Sequence, residues 1–291
     1  MKHAVSTMMI NDVEKIVNVE ADDIAYGDDS VWFERDKPPG YNATWKNEGY
    51  CIQQFLSIQE YTKIIDSITL GIARTLAKQG IDTTGFTLAN YHNYVNDEQH
   101  LNLIDYIRAG SEGTGGLHFS KLPIMLEIIE KRISEICNTP VTAIKTFLME
   151  SGSFFTTKHF WVRIIRPQKY NDNNLPHKDV HIERGGAEGK KAVNLYLPLA
   201  GSNEKSSLPI LPNSHLWSEN EIERTCGSVY SNGVKYTNPA VVSTKRGLNL
   251  ITPNPGPNEV MVFTPYIIHG GGFNFNADVT RVSLEMRFWH P

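Results

Sequence analysis

Cysteine is scarce in this chain, and its three residues, Cys51, Cys137 and Cys226, are widely spaced and odd in number. They form neither a disulfide framework nor a zinc cluster, which favours a reducing compartment. No apolar run is long enough to span a bilayer, and the N-terminus lacks the apolar core of a signal peptide. The net charge of −4 argues against nucleic acid as the main partner. These absences predict a cytoplasmic protein with a small-molecule partner, and they leave its oligomeric state open.

The apolar pattern changes from helical spacing to alternation near Val141. Before this point, the capping box Ser57-Ile58-Gln59-Glu60 predicts a helix that ends at Gly80, and further helices are expected at about 97–109 and 123–137. A short strand is expected within Gly49–Leu56. After Val141, alternating runs predict the strands Ala143–Glu150, His159–Arg166, His177–Ile182, Ala192–Leu199, Pro209–Leu211, Glu259–Thr264 and Arg281–Trp289. This order predicts a mainly β fold, an antiparallel sandwich or barrel with helices packed on one sheet.

The chain has no visible repeat or linker, so we expect a single domain over residues 1–291. Residues 1–46 are polar and acidic and predict an N-terminal arm with little regular structure. Residues 47–140 form a helical support region, and residues 141–291 form the β core. Within that core, residues 216–258 are a long polar insertion, and a connection of this length suggests a lid.

The stretch Pro176–His181 carries the strongest chemical signal. If it is extended, His177 and Asp179 share one face and can occupy adjacent positions on one metal ion. A third ligand from a distant strand would complete the 2-His-1-carboxylate set of non-haem Fe(II) oxygenases, and we choose His269. His181 lies on the same face, so a ligand set that uses His181 instead stays open.

The last predicted strand, Arg281–Trp289, alternates apolar and polar residues. Its polar face sees either solvent or the inside of a ligand-holding barrel, and for this strand alone solvent is favoured. Arg281 follows His269 by twelve residues, so a return strand would bring it beside the metal at the depth of one small ligand. Its planar guanidinium is suited to clamp a carboxylate, with the Ser283 hydroxyl adding a hydrogen bond.

The ordered set His177-x-Asp179, His269 and Arg281 resembles the Fe(II)/2-oxoglutarate-dependent dioxygenases, and more narrowly their phytanoyl-CoA dioxygenase-like branch. The segment Ser206–His215 is similar to that branch's Gly-x-Leu-x-x-x-Pro-Gly-Ser-His segment. Asn213 stands where glycine is usual, and asparagine also tolerates a left-handed turn. The resemblance covers roughly residues 47–289.

The resemblance implies a double-stranded β-helix, a cupin-like jelly roll, with Fe(II) at its open end. It implies that His177, Asp179 and His269 are the metal ligands and catalytic centre, and that 2-oxoglutarate and O2 are converted to succinate and CO2. The substrate would be a small polar metabolite, hydroxylated or otherwise oxidised in a biosynthetic pathway. Asp179 is typical of a hydroxylase, because related halogenases have a small residue in its place.

Further residues are candidates for ligand contacts. Asn194, on the polar face of its strand, is expected to hydrogen-bond 2-oxoglutarate. Arg163 binds co-substrate or substrate, or else forms a salt bridge in the scaffold. His215, His181 and His92 are candidates for substrate contact, with a structural role as the alternative for His215.

Two other functions compete with the oxygenase. One is a non-catalytic, cupin-like protein that binds a metal or small molecule, which an intact ligand set and Arg281 disfavour. The other is a hydrolase with zinc at the same ligands, which leaves Arg281 unexplained.

Overall fold

The computed structural model describes most of the chain, namely residues 1–29, 43–109, 123–148, 154–158, 160–181, 192–236 and 238–290. The described residues are mainly β, with three α-helices: α1 (Ile58–Lys78), α2 (Asp97–Ala109) and α3 (Leu126–Cys137). The first strands are β1 (Lys2–Ile10), β2 (Val13–Tyr26), β3 (Tyr50–Gln54), β4 (Ile144–Leu148), β5 (Phe154–Lys158), β6 (Phe160–Ile165), β7 (Ala192–Ala200) and β8 (Ile210–Leu211). The others are β9 (Ile222–Ser231), β10 (Val234–Tyr236), β11 (Val241–Thr244), β12 (Asn249–Leu250), β13 (Glu259–Phe263), β14 (Ile268–His269) and β15 (Arg281–Trp289).

Two larger sheets contain most of these strands. The five-stranded sheet has the order β3-β13-β7-β15-β6, and all of its neighbours are antiparallel. The six-stranded sheet has the order β10-β9-β2-β1-β12, with β11 also paired to β9. In this sheet β12 runs parallel to β1 and the other pairs are antiparallel, so the sheet is mixed. The strands β8 and β14 form a small separate pair, as do β4 and β5.

Helix α1 begins and ends as the sequence predicts. The Ser57 hydroxyl accepts from the Glu60 amide at 3.2 Å, and the Glu60 carboxylate accepts from the Ser57 amide at 2.8 Å. This capping box satisfies two amides that the first helical turn leaves without partners. Gly80, at a φ of +80°, provides the left-handed turn after the helix. No helix among the described residues combines the length and apolar character needed to cross a membrane.

One apolar cluster joins the helices to the five-stranded sheet. It contains Ile64, Ile68 and Ile72 of α1 with side chains of α2, α3, β7 and β13. From β15 it takes the alternate residues Val282–Phe288, all at most 2% exposed. Each buried side chain of this size stabilises the fold by roughly 1.5–3 kcal/mol before entropy is counted. The opposite face of β15 is therefore free to carry polar groups.

The N-terminal region is more regular than the sequence predicts. Strands β1 and β2 pair from Lys2–Ala21 to Ile10–Val13, where little regular structure was expected. The loop between them, Asn11-Asp12, has φ values of 46° and 63°, as a two-residue hairpin turn requires. The alternation was hidden because the buried positions of the hairpin include polar side chains, among them Ser6.

The predicted insertion 216–258 also contains strands, β9 to β12, and they belong to the six-stranded sheet. The sequence pattern indicated none of these four strands. In β9 the buried positions carry Ile222, Thr225, Val229 and Ser231, so polar side chains point inward and weaken the period-two signal. That this segment acts as a lid stays a prediction.

Candidate metal centre and its cavity

The three predicted metal ligands meet at the end of the small β8–β14 pair. His177 bridges to His269 through two backbone hydrogen bonds of 2.9 and 3.0 Å. Asp179 then begins a short 3-10 helix, Asp179–His181, so the predicted strand His177–Ile182 was wrong from Lys178 to His181, and Ile182 lies outside the described residues. The strand fails because His181 N–H turns back to the Lys178 carbonyl at 3.1 Å. The turn still brings the Asp179 carboxylate to the His177 ring.

The ligand atoms of His177, Asp179 and His269 all lie within 4.8 Å of one another. His177 Nε2 is 3.4 Å from Asp179 Oδ1, and His269 Nε2 is 3.8 Å from Asp179 Oδ2. All three side chains are buried. Two imidazoles and one carboxylate grouped on one side of a point match the facial set that binds non-haem Fe(II).

Backbone carbonyls orient both histidine rings. His177 Nδ1–H donates to the Leu175 carbonyl at 2.8 Å, and His269 Nδ1–H donates to the Ile267 carbonyl at 3.0 Å. A carbonyl only accepts, so Nδ1 carries a proton in each ring, and Nε2 is the nitrogen that faces the shared site. Burial, and then repulsion from His177, lowers the pKa of His269 to about 4, so its ring is neutral near neutral pH. A neutral ring is the form that binds a metal.

Asp179 is held by two neighbours through one oxygen. Asn194 Nδ2 donates to Oδ2 at 2.6 Å, and Arg287 Nη2 lies 2.7 Å from the same oxygen. Arg287 Nε also donates to Asn194 Oδ1 at 3.1 Å. Burial raises the pKa of Asp179, but Arg287 and His269 outweigh it and hold that pKa well below its usual value. The carboxylate therefore stays ionised, and Oδ1 remains available to a metal.

These ligands line a cavity of about 380 Å³. The polar face of β15 forms part of its wall through Arg281, Glu285 and Arg287. Of the two possibilities that the sequence left open for this face, the structure shows the ligand-sized interior. The solvent-facing alternative, which was favoured only when the strand was considered without its distance from His269, was wrong. Arg287 could have been found from the same alternation, but nothing in the sequence singled it out as a partner of Asp179.

Arg281 is a buried cation with unused donors. Its side chain is 2% exposed, and Nε and Nη1 have no hydrogen-bond partner among the described residues. Its guanidinium carbon lies 5.7 Å from the centroid of the Tyr196 ring. Ser283 is fully buried, and its hydroxyl likewise has no partner in the described part of the chain. Buried polar groups of this kind are costly unless paired, so these two residues indicate a place for an anionic ligand.

Two other predicted cofactor contacts already have protein partners. Arg163 Nε donates to Glu285 Oε2 at 2.8 Å, and both residues line the cavity. This is the salt bridge that the sequence left open as the alternative for Arg163. Asn194 contacts Asp179 and Arg287 as described, so it supports the metal ligand directly; a bond to 2-oxoglutarate stays a prediction.

The three predicted substrate histidines lie apart from the ligand triad. His181 Nε2–H donates to Glu219 at 2.8 Å, and the same carboxylate binds Lys178 at 2.8 Å. His215 Nε2–H donates to the Lys46 carbonyl at 2.9 Å. The ring of His92 lies 2.8 Å from the Thr280 hydroxyl. None of these three histidines lines the cavity.

No family model matches the chain, and no curated protein matches it either. Among solved structures, AviO1 from Streptomyces viridochromogenes Tue57 is 12% identical, covers 85% of this chain and 92% of its own, and has a TM-score of 0.49.

Two further solved structures are similarly distant. EctD from S. alaskensis with 2-oxoglutarate and 5-hydroxyectoine is 13% identical, with 93% and 84% of the two chains covered and a TM-score of 0.45. The non-heme alpha ketoglutarate dependent epimerase SnoN from nogalamycin biosynthesis is 12% identical, with 85% and 82% covered and a TM-score of 0.43. These likenesses are partial, so the functional assignment rests on the side chains.

Proposed function

We propose that the protein is a non-haem Fe(II)/2-oxoglutarate-dependent oxygenase that hydroxylates or otherwise oxidises a small polar metabolite. One observation carries this proposal: a 2-His-1-carboxylate group lines the same cavity as a buried arginine, Arg281, whose Nε and Nη1 have no hydrogen-bond partner among the described residues. A metal site alone would also suit a hydrolase, but a hydrolase has no use for Arg281.

The residues present fit Fe(II). His177 and His269 offer their Nε2 atoms, Asp179 offers Oδ1, and their clustering on one side leaves other coordination positions open. Arg287 and Asn194 bind the remaining Asp179 oxygen, which favours binding of the metal through one carboxylate oxygen. Fe(II), when bound here, would activate O2 with electrons from the decarboxylation of 2-oxoglutarate to succinate.

The residues of the cavity also fit a dicarboxylate co-substrate. Arg281 would pair its Nε and Nη1 donors with the carboxylate remote from the metal, and Ser283 would add a hydroxyl hydrogen bond. Bulk water has little access, because Arg281 and Ser283 are almost fully buried. The Arg163–Glu285 pair then forms a polar wall without a net charge of its own.

For the fold, we propose a double-stranded β-helix whose two faces are the five-stranded and six-stranded sheets, with the helices outside the former. The apolar cluster that joins the helices to β7, β13 and β15 supports this arrangement. The phytanoyl-CoA dioxygenase-like branch, a biosynthetic role and a cytoplasmic location complete the proposal. A small-molecule substrate, and not nucleic acid, remains its expected partner.

The test is an anaerobic titration of the metal-free protein with Fe(II) and 2-oxoglutarate. We expect a visible metal-to-ligand charge-transfer band in the wild type, its loss in Arg281→Ala, and no change in Arg246→Ala, a surface control paired with Glu221. Iron binding without the band would mean that 2-oxoglutarate is not chelated, and the binding-protein or hydrolase function would replace this proposal.

A further inference from the structure

A second cavity, of about 330 Å³, adjoins the metal cavity. Asn173 and Asn174 line both. The chain after His269 also follows their common wall, since Gly270 lines the first cavity and Gly271 the second. Gly271 N–H donates to the Asn174 carbonyl at 2.8 Å, which ties the two parts of this wall together. A ligand in the second cavity would therefore lie beside the metal centre.

The N-terminal hairpin places a lysine in this cavity. In β2 the inward positions are Lys15, Val17, Val19 and Ala21, and the residues between them point outward. Lys15 thus occupies a position where the row is otherwise apolar, and it is only 8% exposed. An apolar side chain there would continue the packing at no electrostatic cost. Packing therefore does not account for the lysine at this position.

The neighbours of Lys15 do not neutralise its charge. Its ammonium donates to the Gly271 carbonyl at 3.2 Å and lies 5.2 and 5.0 Å from the ring centroids of Tyr170 and Phe273. Within the described part of the chain, no carboxylate forms an ion pair with it. Burial accordingly lowers the pKa of Lys15 to about 8. An ammonium has three donors, so a further acceptor can be bound.

Asn173, which lines both cavities, carries a second donor. Its side-chain nitrogen is buried, and it has no hydrogen-bond partner among the described residues. The rest of the lining is mixed, with apolar side chains such as Val17, Leu175 and Pro176 beside polar ones at Asn174, Ser231 and Asn232. The cavity therefore combines one positive charge and one unused amide donor with a lining that is partly apolar.

We propose that this second cavity binds the carboxylate of the oxidised substrate, with Lys15 as its counter-ion and Asn173 as a hydrogen-bond donor. The inference rests on the proposed oxygenase function and assigns its substrate class: a monocarboxylate with an apolar part. A single ammonium balances one negative charge, which favours a carboxylate over a dianionic phosphate. This carboxylate is distinct from those of the co-substrate, because 2-oxoglutarate would bind Arg281 in the first cavity.

The test uses hexanoate and its neutral counterpart hexanamide as probes, with binding followed by ligand-observed NMR on the full chain. We expect hexanoate to bind at least tenfold more tightly than hexanamide to the wild type, and Lys15→Met to remove that preference. Lys235→Met, a change at an exposed lysine, should leave it unchanged. A buried charge without a counter-ion also destabilises the fold, so Lys15→Met should unfold at equal or higher temperature than the wild type.

The proposal is overturned if hexanoate shows no preference over hexanamide, or if Lys15→Met retains the preference. It is overturned as well if Arg281→Ala abolishes hexanoate binding, since the probe would then lie in the first cavity. A fall in the unfolding temperature of Lys15→Met together with unchanged hexanoate binding would show that Lys15 is structural. Hexanoate binding needs neither iron nor turnover, so its failure is separate from any failure of the oxygenase proposal.

Discussion

Two buried polar clusters are built on the same short segment, 177–181, and they differ in whether their polar atoms are already used. In the metal centre, His177, Asp179 and His269 keep one ligand atom each available beside a cavity. In the second cluster, Lys178 and His181 both bind Glu219 at 2.8 Å. In this short segment, His177 and Asp179 thus belong to the candidate metal site, whereas Lys178 and His181 bind Glu219. Within this segment, ligand atoms that remain available beside a cavity, and not burial or charge alone, distinguish the metal centre from the Glu219 cluster.

The largest expected effect on stability comes from removing the charge of Glu219, which pairs with Lys178 and His181. Glu219→Gln would remove the carboxylate that pairs at 2.8 Å with the Lys178 ammonium, and Lys178 is only 1% exposed. Breaking a buried ion pair in this way costs about 3–5 kcal/mol in the free energy of unfolding, measured by urea denaturation.

Glu221→Gln is the matched control for that change, because Glu221 pairs with the half-exposed Arg246 at 2.8 Å. A surface pair of this kind contributes about 0–1 kcal/mol. Equal costs for the two variants would contradict the distinction between the clusters that we draw here.

A second, intermediate effect is expected at the support of the metal ligand. Arg287→Met removes the cation beside Asp179 Oδ2, and the loss of such an outer partner typically weakens metal affinity about 10–100-fold. Fe(II) affinity, measured anaerobically, checks this, and Arg246→Met is the control. Unchanged affinity in Arg287→Met would show that Asn194 alone holds the carboxylate.

Near neutral pH the smallest effect is expected at His181, whose contribution to stability appears only in acid. Burial, only partly offset by Glu219, lowers the pKa of His181 from 6.5 to about 4. Between these pH values His181 is protonated in the unfolded chain but not in the folded protein. Folding stability is therefore lost as the pH falls from about 6.5 to 4. In metal-free protein, His181→Gln should reduce this loss, measured as the unfolding free energy at several pH values. An identical pH dependence in the two proteins would count against a neutral, buried His181.

The sequence predicted the elements in which the capping signal or the alternation of apolar residues is uninterrupted. The capping box of α1 and the alternation in β15 both appear as expected. Strands with polar residues at buried positions, such as Ser6 in β1 and Thr225 in β9, were missed because the period-two signal depends on apolar side chains. Asn213 adopts the left-handed conformation, with φ 64°, that its place in the Ser206–His215 segment requires.

The predicted metal ligands do lie together, but the local structure that brings them together differs from the predicted one. The prediction placed His177 and Asp179 on one face of a strand, whereas a bridge to His269 and a 3-10 turn do so. Either geometry puts the two side chains together, so the grouping was found although the local structure was not. The partner of Asp179, Arg287, depends on the register between β7 and β15, where Arg287 faces Asn194. Pairing between strands so far apart in sequence is not visible in a single chain.

The most direct measurement is the Fe(II) stoichiometry of the metal-free protein under anaerobic dialysis, in the wild type, His269→Ala and His181→Gln. We expect one Fe(II) per chain in the wild type and in His181→Gln and none in His269→Ala, while circular dichroism shows that all three proteins are folded. Retained iron in His269→Ala, or iron lost from a folded His181→Gln, would contradict the assignment of His177, Asp179 and His269 as the metal centre.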